Sequence, residues 1–299
     1  MLSVCIIGDF NGNQDEGLKN IAYNVYKNIP EEHEVMSLNI RNVFSSKFWI
    51  MLWNERPKII HYVPGPTIVS FILMKIIKLF IGAKTIMSAS QPSIGPLSKK
   101  LIHLMKPDLI LTQSRESDKF FRDLGIETRF LPNGVDTKKF VPVPAWKKRH
   151  LREKYGLEKN KFTIVHVGHL TKRRNLSVLK NLDPDKYQIV IVASEYLKRD
   201  NIIYKDLIDH GCKIFTGYIE RIEEIYGISD CYVFPVKPGH TILSPLSVLE
   251  AMSCNLPVVT TDFEGNILVR FKNRSDSREA AKYERLYKEA ESIMKGEKT

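Results

Sequence analysis

Pro245-Leu-Ser-Val-Leu-Glu-Ala-Met-Ser-Cys-Asn255, followed by Leu256-Pro-Val-Val-Thr-Thr-Asp262, is the stretch on which the fold turns. A carboxylate, Glu250, stands near the start of a helix-forming run. Asn255 falls where that helix should stop, and an apolar Pro-Val-Val strand follows at once. This order puts Glu250 beside a helix N-terminus at the carboxyl end of a parallel sheet, a position suited to a ribose hydroxyl and a phosphate.

Outward from it, short apolar runs alternate with helical patterns from end to end, the mark of parallel βαβ units. Toward the N-terminus the strands are Leu2–Ile7, Glu34–Leu38, Lys58–Val63, Lys84–Ala89 and Asp108–Thr112, with helices over Gly17–Lys27 and Glu116–Asp123. The pattern restarts after Val141-Pro-Val-Pro-Ala-Trp146, where alternate prolines prevent regular structure. Strands then fall at Phe162–Val167, Gln188–Ala193, Lys213–Thr216, Cys231–Pro235 and Pro257–Thr261, with a helix at Leu176–Leu182. The expectation is two Rossmann-like α/β domains, 1–145 and 146–299, with ligands bound at the carboxyl ends of both sheets. A last helix from Ser277 carries an apolar stripe through Ala280, Tyr283, Tyr287, Ala290 and Met294.

The chain has 299 residues, 43% hydrophobic and 26% charged, enough for two ordinary cores. The net charge of +11 fits anionic lipid, nucleic acid or a phosphorylated substrate. Its basic clusters, Lys147–Lys154 and Lys172–Arg174, carry no nucleic-acid motif and no interleaved aromatics, so no nucleic acid is expected. Cys5, Cys212, Cys231 and Cys254 lack metal spacing and read as buried thiols in a reducing cytoplasm. Leu2–Ile7 runs straight into Gly8-Asp9, as a first strand does and a leader does not. Thr67–Ala83 is broken by Lys75 and Lys78 and is short of the roughly 20 apolar residues of a membrane span. Thr67–Phe80 reads either as a buried helix with lysines at its rim or as an amphipathic helix lying on a membrane.

Three further segments carry chemistry. Gly8-Asp-Phe-Asn-Gly-Asn-Gln-Asp-Glu-Gly17 is a glycine-bearing first βα turn without G-x-G-x-x-G, which argues against a dinucleotide enzyme. Pro132-Asn-Gly-Val-Asp136, with Phe140 after it, reads as a tight turn. Phe162-Thr-Ile-Val-His-Val-Gly-His-Leu-Thr-Lys-Arg-Arg-Asn-Leu176 is a strand followed by a basic turn. Together with Pro245–Asp262, the last two resemble retaining glycosyltransferases of the two-domain GT-B fold, family 4 (group 1) type. The resemblance covers nearly the whole chain and is sharpest at 132–140, 164–176 and 245–262.

That resemblance implies a retaining, metal-independent transferase moving a sugar from a UDP- or GDP-sugar to a cell-envelope or lipid-linked acceptor, with no cofactor. It places the protein in the cytoplasm, peripheral on the inner face of the membrane. It assigns Glu250 to the nucleotide ribose, and Gly168, Leu243, Ser244 and Leu246 to the donor. Arg174 and His169 stand where the family has a Lys and an Arg that neutralise the leaving diphosphate, with Lys172 or Arg173 as substitutes for the missing Arg. Gly12, Gly17 and His61 fall on the acceptor side.

Departures support a second expectation, a degenerate relative that binds nucleotide-sugar or a partner glycosyltransferase without turnover. Ile242 replaces a sugar-contacting glutamate, and Ser88-Ala-Ser-Gln91 stands in place of the family's active-site histidine. Ser194-Glu-Tyr replaces a glycine-rich turn. The second domain reads as shortened by roughly 30 residues, about one βα unit, with the terminal helix crossing back to the first domain. A sugar-nucleotide epimerase of the same fold would need carboxylates flanking the sugar, and none is located.

Overall fold

The computed structural model describes residues 2–14, 16–90, 102–237 and 243–261. They divide into two compact units. One runs to Asn133 and includes Leu243 and Ser244; the other starts at Gly134 and resumes at Pro245. The break therefore precedes the Val141–Pro144 prolines and does not follow them, in contrast to the boundary at 145. Phe140 explains this, because its ring meets Tyr226 edge-on at 5.7 Å and its carbonyl accepts a bond from Ser253 Oγ.

The first unit is a parallel sheet ordered β2-β1-β3-β4-β5-β6. Its strands are β1 (Ser3–Gly8), β2 (Glu34–Asn39), β3 (Ile59–Gly65), β4 (Lys84–Ala89), β5 (Leu109–Thr112) and β6 (Thr128–Phe130). Helix α1 (Gly17–Lys27) covers one face, packing Ala22 on Val4, Ile6 and Val63. Helices α2 (Ser46–Glu55), α3 (Ile68–Ile81) and α4 (Arg115–Asp123) cover the other, burying Phe48, Phe71, Met74 and Phe121 against Cys5, Ile7 and Ile60. Burial on both faces explains why β1 reads as a continuous apolar run and not as an alternation. Asp108 ties α3 to the sheet through Lys78 (2.7 Å) and the Thr85 amide (2.9 Å). Burial works the other way, but these bonds hold its carboxyl down at about 2.

The apolar Thr67–Ala83 region is thus a sheet-packed helix, and no helix among the described residues is long and apolar enough to cross a membrane. Packing accounts for only one side of it. Val69 is 68% exposed, Leu79 70% and Phe80 66%, and Ile50, Met51 and Trp53 of α2 are exposed as well.

The second unit is a parallel sheet ordered β11-β10-β7-β8-β9. Its strands are β7 (Phe162–His169), β8 (Tyr187–Ser194), β9 (Lys213–Thr216), β10 (Cys231–Phe234) and β11 (Val258–Thr260). The helices are α5 (Ala145–Lys154), α6 (Asn201–Asp209), α7 (Ile222–Ile228) and α8 (Leu246–Ser253). The helix expected at Leu176–Leu182 is a 3-10 helix over Leu176–Asn181. Leu176 and Leu179 are its buried residues, three apart as a 3-10 helix stacks them.

In both sheets the strand order reverses at one place, β1/β3 and β7/β10, and such switch points open ligand crevices at the carboxyl ends. The basic helix α5 is largely spent on the fold. Lys148 and Arg152 converge on Asp230, which also accepts the Thr163 amide, and Lys154 pairs with Glu224. All four cysteines are free and buried, and burial pushes the thiols of Cys5, Cys231 and Cys254 up to about 12 and Cys212 to about 11. Ile242, the terminal helix and the shortened carboxyl end lie outside the described residues.

Candidate functional site

Polarity enters the apolar second sheet at the end of β7. His166 is fully buried, and its Nδ1 lies 2.9 Å from the Val233 carbonyl oxygen. Nδ1 therefore carries the proton and Nε2 an open lone pair, with no partner among the described residues. Burial depresses this imidazole to about 3, so it is neutral at physiological pH. Gly168 follows at φ +154°, and a Cβ there would come within 3.2 Å of His166 Nε2. His169 ends the strand in register with Ser194.

The basic turn comes next. Lys172 and Arg173 are exposed, but the Arg174 guanidinium sits 4.7 Å over the Phe234 ring, and its Nη1 is buried without a partner among the described residues. Burial lowers its pKa, a measure of how unwelcome the desolvated charge is. Asn175 then turns the chain at φ +55°, a conformation open to Gly and Asn and costly for most residues.

At β10 the chain leaves the sheet toward α8. Pro245 precedes the helix and offers it no side-chain cap, and the first turn holds no acidic residue. The amide end that starts at Leu246 is thereby left for an anion. Glu250 is one turn further in, too deep to cap the helix itself. Its Oε2 accepts a 2.6 Å bond from the Tyr226 hydroxyl. Burial raises the Glu250 pKa, opposed by that bond and by Lys139. Tyr232 stands between the two halves of the site. Its hydroxyl lies 2.7 Å from Ser247 Oγ; burial raises its pKa, with Arg174 lowering it and Glu250 adding to the rise. Asn255 ends the local chain at φ +58°, the left-handed stop its identity predicts.

The structure thus brings Arg174, His169, Gly168, Leu246 and Glu250 to the β7/β10 switch point of one unit. Leu243 and Ser244 belong to the other. Ser244, at φ +41°, accepts from Asn133 at Oγ (3.2 Å) and at its carbonyl (2.9 Å), and Asn133 also bonds Gln113. Asn133 is structural, as its turn chemistry suggests.

In the first unit, Gly12 takes φ +66° in open space after β1. Gly17 opens α1, but the carboxylate of Glu16 already holds the amides of Leu18 (2.6 Å) and Lys19 (3.3 Å). That helix end is therefore occupied by the protein's own anion. His61 is buried, held neutral by burial at about 4, with Nε2 2.8 Å from Ser88 Oγ. Ser88, standing where the family has its histidine, is thus taken up by His61. Among the described residues no His, Cys, Asp or Glu cluster could hold a metal ion.

His166, Tyr226 and Tyr232 are contributors that motif spacing does not reveal. A histidine inside an apolar strand was a visible signal for the first. Neither tyrosine offered one, since each sits in a run of consecutive buried residues, Glu224–Ile228 and Cys231–Phe234.

Two doubly wound units with a basic, ribose-compatible switch point define the class: an α/β protein of GT-B fold. The solved sucrose-phosphate synthase of Thermosynechococcus elongatus shares that fold over 100% of this chain and 93% of its own, at a TM-score of 0.67 and 12% identity. Residues 147–297, about half of the chain, match the family described as Glycosyl transferases group 1, and the chain belongs to it. Among curated relatives, the alpha-galactosylglucosyldiacylglycerol synthase of Streptococcus pneumoniae is 28% identical over 45% of this chain and 38% of its own. The UDP-Gal:alpha-D-GlcNAc-diphosphoundecaprenol alpha-1,3-galactosyltransferase of Escherichia coli is 31% identical over 46% of this chain. The aligned part spans 37% of that relative's length.

Proposed function

We propose that the chain is a glycosyltransferase that moves a sugar from a UDP- or GDP-sugar to a glycan or lipid-linked acceptor, retaining anomeric configuration and using no metal. The observation that carries this is Arg174, a half-buried residue whose Nη1 is buried with no partner, and which has no carboxylate partner, among the described residues. Desolvating an uncompensated charge costs several kcal/mol, and a diphosphate that arrives as a ligand offsets it. Arg174, assisted by His169 and the amide end of α8, receives the charge that develops on the diphosphate as the sugar C–O bond breaks. Glu250 accepts the ribose hydroxyls. In a retaining transfer the acceptor oxygen enters on the face the diphosphate leaves, and a diphosphate oxygen takes its proton. The use of His61 and Ser88 inside the first sheet is compatible with that route, which needs no side-chain base.

The exposed apolar side of α3 and α2 is suited to resting on a membrane, consistent with the +11 charge and with relatives whose names specify a diacylglycerol glycolipid and a diphosphoundecaprenol. Transfer from UDP- and GDP-sugars to extracted lipid, run in chelator and followed by NMR of the new anomeric linkage, tests every part. An inverted product refutes retention, and a requirement for divalent cation refutes metal independence. The same Ser88 substitution favours a second reading, a degenerate binder; tight donor binding with no transfer or donor hydrolysis would select it.

A further inference from the structure

Glu250 is held from one side only. Tyr226, on α7, reaches across to α8 and donates its hydroxyl to Oε2 at 2.6 Å, while Oε1 has no bonded partner among the described residues. The tyrosine has little freedom to do otherwise. It is fully buried, with Phe140 edge-on at 5.7 Å and Tyr232 at 6.0 Å. One turn earlier on α8, Ser247 is held in the same manner by the Tyr232 hydroxyl at 2.7 Å. Two buried phenols therefore clamp successive turns of one short helix. A free carboxylate can rotate about its last torsion, which is broad and roughly two-fold, and a single fixed donor removes that freedom.

We propose that Tyr226 is a positioning residue: it occupies one oxygen of Glu250 and thereby aims the other at the nucleotide ribose, setting the preference for ribonucleotides over 2′-deoxyribonucleotides. This rests on the donor-site reading of Glu250. A carboxylate left to rotate would meet the 2′-hydroxyl only part of the time, and a site that hydrogen-bonds a hydroxyl poorly discriminates poorly against its absence. The charged and titratable groups around Glu250 are Tyr226 on α7, Tyr232 on β10, Cys254 at the end of α8, and Lys139.

The test is titration calorimetry of the full chain with UDP and 2′-deoxy-UDP, and with GDP and 2′-deoxy-GDP. Tyr226→Phe keeps the ring packing and deletes only the hydroxyl. A charged hydrogen bond of ordinary strength gives the wild type a ribo-over-deoxy preference of about 10-fold or more. In Tyr226→Phe that ratio should fall to about 3 or less, with deoxynucleotide affinity unchanged within about two-fold. The acid limb of ribonucleotide affinity should also move to higher pH, because the carboxylate has lost the donor that favours its charged form. An unchanged ratio overturns the proposal, as does an equal loss of both affinities, which marks a merely structural tyrosine. Glu250→Ala separates the two layers. If it binds UDP and GDP like the wild type, the donor-site reading itself fails. If it loses ribonucleotide while Tyr226→Phe keeps the wild-type ratio, only the positioning role fails.

Discussion

At the residue scale, the site holds two groups whose ionisation works against burial. Arg174 stands over Phe234 without an acidic partner among the described residues, so in the proposed diphosphate role function and stability oppose each other there. Arg174→Met should leave the apoprotein as stable or more stable, by the reasoning that apolar replacements of buried charges are neutral to favourable. The same variant should weaken UDP or GDP binding about 10- to 100-fold, the size of a lost charge-assisted contact. Thermal melting and calorimetry on one preparation measure both. Glu250 behaves oppositely to a capping carboxylate, because burial raises its pKa. A raised folded-state value means its contribution to stability is complete below the unfolded value near 4.5 and is lost as pH rises through the folded one. Glu250→Gln should therefore melt higher than the wild type at neutral pH. In the proposed ribose-binding role, donor affinity should run the other way, failing as pH drops through that raised value, and the Gln variant should lack this acid limb.

At the element scale, α5 shows why a run of positive charge need not be a binding surface. Asp230 gathers Lys148, Arg152 and the Thr163 amide, joining α5 to the starts of β7 and β10. Asp230→Ala strands a buried guanidinium and should cost about 3 kcal/mol of stability in denaturant unfolding, with nucleotide affinity per folded molecule unchanged. Elements were legible in the sequence where a single face was buried or a stop residue was diagnostic. Gly17–Lys27 and the Asn255 stop are examples. They were obscured where that contrast vanished. Helix α7 buries five consecutive residues, Glu224–Ile228, and so shows no apolar stripe, and α2 leaves Ile50, Met51 and Trp53 exposed, which blurs its periodicity. The candidate site was legible as motif positions, Glu250, Arg174 and Gly168. The contacts that tune it were not, because Tyr226 is 24 residues from Glu250 and His166 meets Val233 across strands.

At the scale of the whole molecule, each sheet carries a neutral buried histidine near its switch point, His61 at about 4 and His166 at about 3. Both values lie below the ordinary 6.5, so the stability they confer is complete above that pH and falls away as acid titrates them. Acid unfolding followed by circular dichroism should begin below about pH 6.5, and His166→Gln should shift that onset toward lower pH.

The placement of the three tryptophans, Trp49, Trp53 and Trp146, has an optical consequence. None belongs to the β7/β10 switch point, whereas Trp53 is exposed on α2 with Arg56 stacked on it at 4.5 Å. On the proposed function, intrinsic fluorescence should therefore respond to a bilayer and not to nucleotide. Anionic phosphatidylglycerol vesicles should shift the emission to the blue, and UDP or GDP should leave it unmoved. Leu79→Ser with Phe80→Ser should abolish the shift, and an undiminished shift in that double variant would detach α3 from the membrane.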